Sequence, residues 1–367
     1  MRRFLIDAHH LGMGQTGNET WTRNMITATK DLGAHDEMEF AVAGEGREII
    51  RRLTDAPAHL VSSSSARRLV VDLPSLIRAT GCRAVLATYT APLTRCPSVV
   101  AVHDVSPWHR EAREWLPRAT RARHRATVGI SARRAHTLIV PSEATRADLV
   151  DRLGTAAERV AVAPCAVDLE LGRLLAATPA RPADGCLRVL AVGTIVPRKN
   201  LVMLARATRA ARDAGVPVKL RLVGPVPPAG RPLVTEIEAL LGPDVESVGY
   251  VTDAQLAVEY RSTDVVCFPS LFEGFGMPIV EAMAAGVPVV VSDATASREV
   301  IGDAALVCGA HDPRAWREAL VRLWQDPVLR QRLSADGLRR AAGFSWHESA
   351  KIVLHALDAA AGRRRGY

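Results

Sequence analysis

Short, almost purely apolar runs alternate along the chain with stretches whose apolar positions recur at helical spacing. "RFLID" (3–7) predicts a first strand, and "LGMGQTGN" (11–18) a glycine-rich loop. "ETWTRNMITATKDLG" follows with apolar positions at Trp21, Met25 and Ile26 and a stop at Gly33, the chemistry of a helix. More strands are predicted at 39–43, 84–88, 98–102, 136–140 and 159–163, and a helix over 142–154 between Ser142 as N-cap and Gly154. Residues 169–186, with Pro179, Pro182 and Gly185, interrupt this rhythm and read as an interdomain connection. A second series then predicts strands at 187–193, 218–224, 245–249, 264–270, 287–293 and 304–309. Helices are predicted between them at 200–214, 231–242, 252–262 and 278–285, and two more helices close the chain. Strands that are apolar throughout belong to parallel sheets covered on both faces. Two such domains in tandem predict a cleft at the C-terminal ends of their strands, where open α/β folds bind ligands.

Composition changes this picture little. The 367 residues suit two domains, each of about 150–200 residues. A net charge of +8 favours anionic partners without choosing among nucleotides, phosphorylated substrates, nucleic acid and membrane surfaces. Arginine supplies nearly all of it, the lysines being Lys30, Lys199, Lys219 and Lys351. Six scattered cysteines without CxxC spacing fit buried thiols of a reducing compartment. Asp7 stops the first apolar run too early for a signal peptide, and no window approaches the length of a membrane span. A cytoplasmic protein is the expectation.

Chemistry concentrates in a few stretches. In "EGFGMPIVE" (273–281), seven residues separate Glu273 from Glu281. Pro278 marks a helix start, which places Glu273 on the preceding loop and Glu281 in the first turn. Gly274 and Gly276 bare backbone N–H groups at a helix N-terminus, an anion site suited to a diphosphate. Carboxylates on either side suit vicinal diols, and together these parts describe a nucleotide sugar. The competing reading is a surface Glu273 and a Glu281 held by the helix dipole. "VGTIVPRKNL" (192–201) puts Arg198 and Lys199 on a strand-to-helix turn, either facing a leaving diphosphate or as a solvated basic turn. In "VAVHDVSPW" (100–108), His103 and Asp104 end a strand as a general-base pair, a sugar-contacting pair or a capped turn. Gly12, Gly14 and Gly17 match GxGxxG only loosely, which argues against a dinucleotide site. No P-loop, nucleophile elbow, HExxH or Asp-x-Asp is present, so a leaving group's charge falls to Arg, Lys and helix dipoles and no divalent metal is expected.

Taken in order and spacing, these segments resemble the retaining glycosyltransferases of family 4, which have the GT-B fold. "EGFGMPIVE" with "AMAAGVPVVVSD", "VGTIVPRKNL", "VHDVSPWH", "LIDAHHLGMGQTGNETW" and "VPSEATRADLV" with "VAPCAVD" carry the resemblance over essentially the whole chain. It implies two Rossmann-like parallel-sheet domains facing each other across a cleft. Residues 1–168 would form the acceptor domain, 169–186 the linker and 187–345 the nucleotide-sugar donor domain, with a helix in 346–367 crossing back. Glu273 would contact the donor sugar hydroxyls and Glu281 the ribose. Phe275, Gly276 and Met277 would line sugar and phosphate beside Gly274. Arg198 and Lys199 would hold the diphosphate, Gly17 would approach it, and His103 would lie near the reacting carbon. Thr194 and Val196 stand where many relatives carry a cation and an acidic residue, and Ala166 replaces a usual glycine.

The resemblance implies a hexosyltransferase that retains configuration by front-face displacement, the departing diphosphate taking the acceptor's proton. It needs no cofactor beyond the nucleotide-sugar co-substrate. The acceptor is expected to be a glycan, a lipid-linked or a small-molecule hydroxyl near Asn18 and Asp104. Arg118, Arg121 and Arg125, at helical spacing near Trp108 and Trp115, form either a contact for anionic lipid at the inner membrane surface or a solvated helix face. The alternatives are a nucleotide-sugar-binding or epimerase-type protein on the same fold. No nucleic-acid motif is present.

Overall fold

The computed structural model describes residues 4–14, 16–181, 185–294 and 296–362. The chain divides into two compact units, 1–165 with 345–367, and 166–344. The first unit holds a seven-stranded sheet in the order β3-β2-β1-β4-β5-β6-β7. Its strands are β1 (Phe4–Asp7), β2 (Met38–Val42), β3 (Ala58–Leu60), β4 (Ala84–Thr88), β5 (Ser98–Ala101), β6 (Thr137–Val140) and β7 (Val160–Val162). The second holds six strands in the order β10-β9-β8-β11-β12-β13. These are β8 (Leu187–Val192), β9 (Val218–Val223), β10 (Val245–Gly249), β11 (Val265–Phe268), β12 (Val289–Ser292) and β13 (Leu306–Cys308). Every pairing is parallel. That is why the central strands are buried end to end and lack polar alternation.

Four differences from the pattern have physical causes. The short β3 escapes detection because it is only three residues long, has His59 at its centre and is part-exposed. Residues 169–177 are a helix of the second unit: the Asp168 carboxylate accepts from the N–H groups of Glu170 and Leu171, and Leu171 and Leu175 are buried. Arg261 Nε ties its end by donating to the Thr178 carbonyl, so the first half of the linker expected over 169–186 is a helix, while Pro182 lies outside the described residues. Three helices close the chain, Pro313–Gln325, Pro327–Ala341 and Trp346–Ala360, because Asp326 ends the first and caps the second through Leu329 N. Thr16–Asp31 is already helical, so Gly17 and Asn18 stand in a first turn, not in the expected loop.

The last helix completes the first unit. It buries Trp346, Val353, Leu354 and Leu357, packs on helix Thr16–Asp31, and Ser349 Oγ donates to the Pro164 carbonyl at 2.5 Å. Within the second unit, helices on both faces cover a core that includes Trp316, Leu204, Leu220 and Val290.

Candidate active site

The second sheet reverses its order of strand addition between β8 and β11. From β8 the chain builds outward through β9 and β10, then returns to lay β11 on the other side of β8. In open α/β sheets the loops that diverge at such a switch point leave a crevice for ligands. Here those two loops carry Arg198 with Lys199, and Glu273, 74 residues apart in sequence. Leu271 N donates to the Arg198 carbonyl at 2.9 Å, locking one loop to the other. Asn200 adopts a left-handed conformation that asparagine tolerates, and its Nδ2 donates to the carbonyls of Pro269 and Ala310. Gly224 allows a still closer approach: a Cβ there would lie 2.2 Å from the Gly193 carbonyl oxygen.

Three charges share this crevice. Arg198 Nη1 lies 2.6 Å and Lys199 Nζ 2.9 Å from Glu273 Oε1, with Lys199 and Glu273 each about 9% exposed. Lys199 Nζ also stands 4.3 Å from the centroid of the Phe268 ring. Burial would raise the Glu273 carboxyl, but the charges of Arg198 and Lys199 and the hydrogen bond from Lys199 bring it down to about 2. Burial lowers the Lys199 ammonium, against the pull of Glu273. Two cations held by one carboxylate leave net positive charge in a site of low dielectric, where it acts strongly on an incoming anion. Thr194 lies part-exposed in the loop after β8.

The glycine loop ends on Gly276, which caps helix Met277–Ala284 at φ +97. A Cβ there would sit 2.8 Å from Ile279 Cδ1. Pro278 has no N–H and Ile279 N donates to the Gly276 carbonyl, which leaves Gly276 and Met277 to supply the amides of this turn. Gly274 is buried beside Glu273. The Phe275 ring is buried edge-on against Phe344, centroids 5.5 Å apart, so its side chain serves packing and any ligand contact falls to its backbone. The helix begins one residue earlier than expected, so Glu281 is its fifth residue, just beyond the first turn. It is buried, and Oε2 accepts from the Tyr260 hydroxyl at 2.7 Å. Burial, with the nearby charges of Asp168 and Asp253, pushes its carboxyl up to about 7 against the hydrogen bond from Tyr260. Neither the surface position for Glu273 nor the dipole role for Glu281 describes these side chains.

The first unit brings its residues together by the same topology, at the ends of β1, β4 and β5. The His103 ring meets Trp21 and Tyr89 edge-on, at centroid distances of 5.1 and 5.5 Å. Its Nε2 is shielded from solvent and meets no hydrogen-bond partner among the described residues. Burial pushes the imidazole down to about 4 despite Asp104, so it is neutral at pH 7. Asp104 Oδ1 accepts from Ser106 N at 3.0 Å, which makes it a turn cap and not the partner of a general-base pair. Tyr89 takes a left-handed backbone at φ 61, held by Ser131, whose Oγ donates to the Tyr89 carbonyl and accepts from Ala91 N. In the glycine-rich loop the Glu19 carboxylate accepts from the N–H groups of Gly12 and Gly14. Gly17 is exposed, and Asn18 gives its carbonyl to Thr22.

Tyr260, Asn200, Gly224 and Ser131 carry no sequence signal that separates them from ordinary core or turn residues. All four act through partners distant in the chain.

Two parallel-sheet Rossmann-like units, each gathering polar side chains at the carboxyl ends of its strands, define a GT-B glycosyltransferase architecture. Family models agree: one described as "Glycosyltransferase Family 4" matches residues 31–171, and one described as "Glycosyl transferases group 1" matches 186–326. The chain belongs to this group 1, family 4 lineage. It is 30% identical over 241 residues to O-antigen chain mannosyltransferase B of Escherichia coli, covering 60% of each chain. It is 32% identical to the MMP alpha-(1->4)-mannosyltransferase of Mycolicibacterium hassiacum, covering 63% of this chain and 56% of that one. The chain thus matches about three fifths of the length of these curated relatives. Among solved structures, Anabaena HepE in complex with UDP-glucose aligns at a TM-score of 0.75 with 18% identity, over 98% of this chain and 100% of that one.

Proposed function

We propose that the protein transfers a hexose from a nucleotide-diphosphate sugar to an acceptor hydroxyl, with retention and without a divalent metal. The observation that carries this reading is the Arg198–Lys199–Glu273 cluster at the β8/β11 switch point. Both cations are held in place before substrate arrives, so they meet the charge of a departing diphosphate without reorganising. Glu273, ionised at every working pH, accepts from sugar hydroxyls, and Glu281 accepts from the ribose diol. Neutral His103 offers the sugar an uncharged ring nitrogen. The diphosphate oxygen takes the acceptor's proton as it leaves on the same face, so neither glutamate serves as acid or base. The mannosyltransferase relatives and the nucleotide sugar bound by HepE support the hexose and the donor class.

For the acceptor side, we extend the reading to peripheral contact with anionic lipid through Arg118, Arg121 and Arg125 on helix Arg118–Arg134. Arg118 and Arg125 are exposed, and Arg125 lies over the Trp108 ring at 5.6 Å. No described helix is long and apolar enough to cross a membrane. Flotation with anionic and neutral liposomes tests this contact, and equal binding to both overturns it. The central reading is tested by a panel of nucleotide sugars, scored by thermal shift and by mass-spectrometric detection of donor hydrolysis and transfer. Release of nucleoside diphosphate with an acceptor of retained anomeric configuration supports it. An isomerised donor points instead to an epimerase, binding without turnover to a sugar-nucleotide receptor, and an inverted product overturns front-face displacement.

A further inference from the structure

Tyr260 has no place in the scheme above, yet it is the largest polar side chain fully enclosed at the site. It projects from helix Asp253–Arg261, and its hydroxyl reaches Glu281 Oε2 at 2.7 Å. Glu281 Oε1 meets no hydrogen-bond partner among the described residues. With one oxygen held by the phenol, the carboxylate's orientation is fixed and its open oxygen is the one presented to a ligand. We propose that Tyr260 is a positioning residue of the donor site: its O–H, donated to Oε2, pins that oxygen and aims Oε1 at the ribose diol. The inference rests on the nucleotide-sugar reading of the same site.

The surroundings make this hydrogen bond consequential. Asp168 at the cap of helix Leu169–Ala177 and Asp253 at the start of helix Asp253–Arg261 both oppose ionisation of Glu281. Lys199 favours it from the turn after β8. Arg261 points elsewhere, donating to the Ala285 carbonyl, and Arg340 of helix Pro327–Ala341 donates to the carbonyls of Glu299 and Val300. The phenol of Tyr260 is itself held well above its ordinary range by burial and by Glu281, so it remains a donor. An ionised carboxylate only accepts, and it accepts more strongly from a donating diol than the protonated acid does. Donor binding is therefore coupled to loss of a proton from Glu281, and the hydrogen bond from Tyr260 lowers the pH at which that happens.

The test is calorimetric titration of the full chain with UDP, GDP and ADP in turn, across pH, for wild type, Tyr260→Phe and Asp253→Asn. For the nucleotide that binds, wild-type affinity should fall toward tenfold per pH step below about 7. In Tyr260→Phe this limb should move to higher pH, with about tenfold weaker binding near pH 7 and a difference of about twofold or less near pH 9. Asp253→Asn should move the limb the other way. The ligand's own phosphate titration is common to all three proteins and cancels in the comparison. A Tyr260→Phe profile that superimposes on wild type, or drops uniformly at all pH, makes Tyr260 a packing residue and overturns the proposal. If that variant does not fold, an unmoved limb in Asp253→Asn overturns it instead. Binding of none of the three nucleotides at any pH sinks the nucleotide reading itself, and this role with it.

Discussion

Glu273 and Glu281 belong to one short segment and are buried to nearly the same degree, yet their surroundings push them in opposite directions. Around Glu273 two cations and the hydrogen bond from Lys199 overcome the cost of burial and hold the carboxyl near 2. Around Glu281 the neighbours are a phenol and two further carboxylates, and burial prevails, leaving it near 7. Both side chains lie on the C-terminal side of the same parallel sheet, so the sheet's geometry does not distinguish them. What distinguishes them is which neighbouring element each one meets: the turn after β8 for Glu273, and helix Asp253–Arg261 for Glu281. A buried carboxylate can thus anchor a cationic cluster in one place and stand ready to exchange a proton in another.

The comparison can be broken at the cations first. Lys199→Met removes half the charge offered to the diphosphate, and kcat/KM for transfer should fall by about 10²–10³-fold in steady-state assays of the donor. Glu273→Gln leaves the buried Lys199 ammonium and the part-exposed Arg198 guanidinium without their counter-charge. Urea unfolding should show a loss of about 3 kcal/mol, and an unchanged midpoint would mean that the cluster is not buried as described.

Glu281→Gln should do the reverse. A carboxyl raised in the folded state contributes stability that is fully present below its unfolded value of about 4.5 and is lost as pH rises through about 7. Near pH 8 the charge is therefore a burden, and the neutral amide, still able to accept from Tyr260, should raise stability by about 1–3 kcal/mol while weakening donor binding. A lower melting temperature for Glu281→Gln than for wild type at that pH would erase the contrast with Glu273. The smallest effect concerns His103. Its folded value near 4 lies below the ordinary imidazole range, so it contributes stability above about 6.5 that is lost as pH falls through 4. NMR should therefore show a neutral ring at pH 6, and an imidazolium there would assign any acid limb of the rate to His103 in place of Glu281.

The amino-acid sequence by itself determined the α/β class, most strands, the two-series organisation and the stretches that carry the chemistry. It could do so because a strand covered on both faces must be apolar throughout, and because glycine and proline mark turns wherever they occur. Arg198, Lys199 and Glu273 were legible as candidates from their positions at strand ends. Their meeting on a single carboxylate oxygen was decided by the tertiary structure, through the pairing of β8 with β11 across 74 residues. Tertiary contacts likewise made 169–177 a helix, since its stability comes from a cap and two buried leucines and its sequence pattern is weak. They turned the Phe275 ring into the core, made Asp104 a cap, and surrounded Glu281 with Tyr260, Asp168 and Asp253. The physical reason is common to all of these. Local propensity and periodicity act over one element, whereas the protonation and reach of a buried side chain depend on the charges and hydrogen bonds that other elements bring to it.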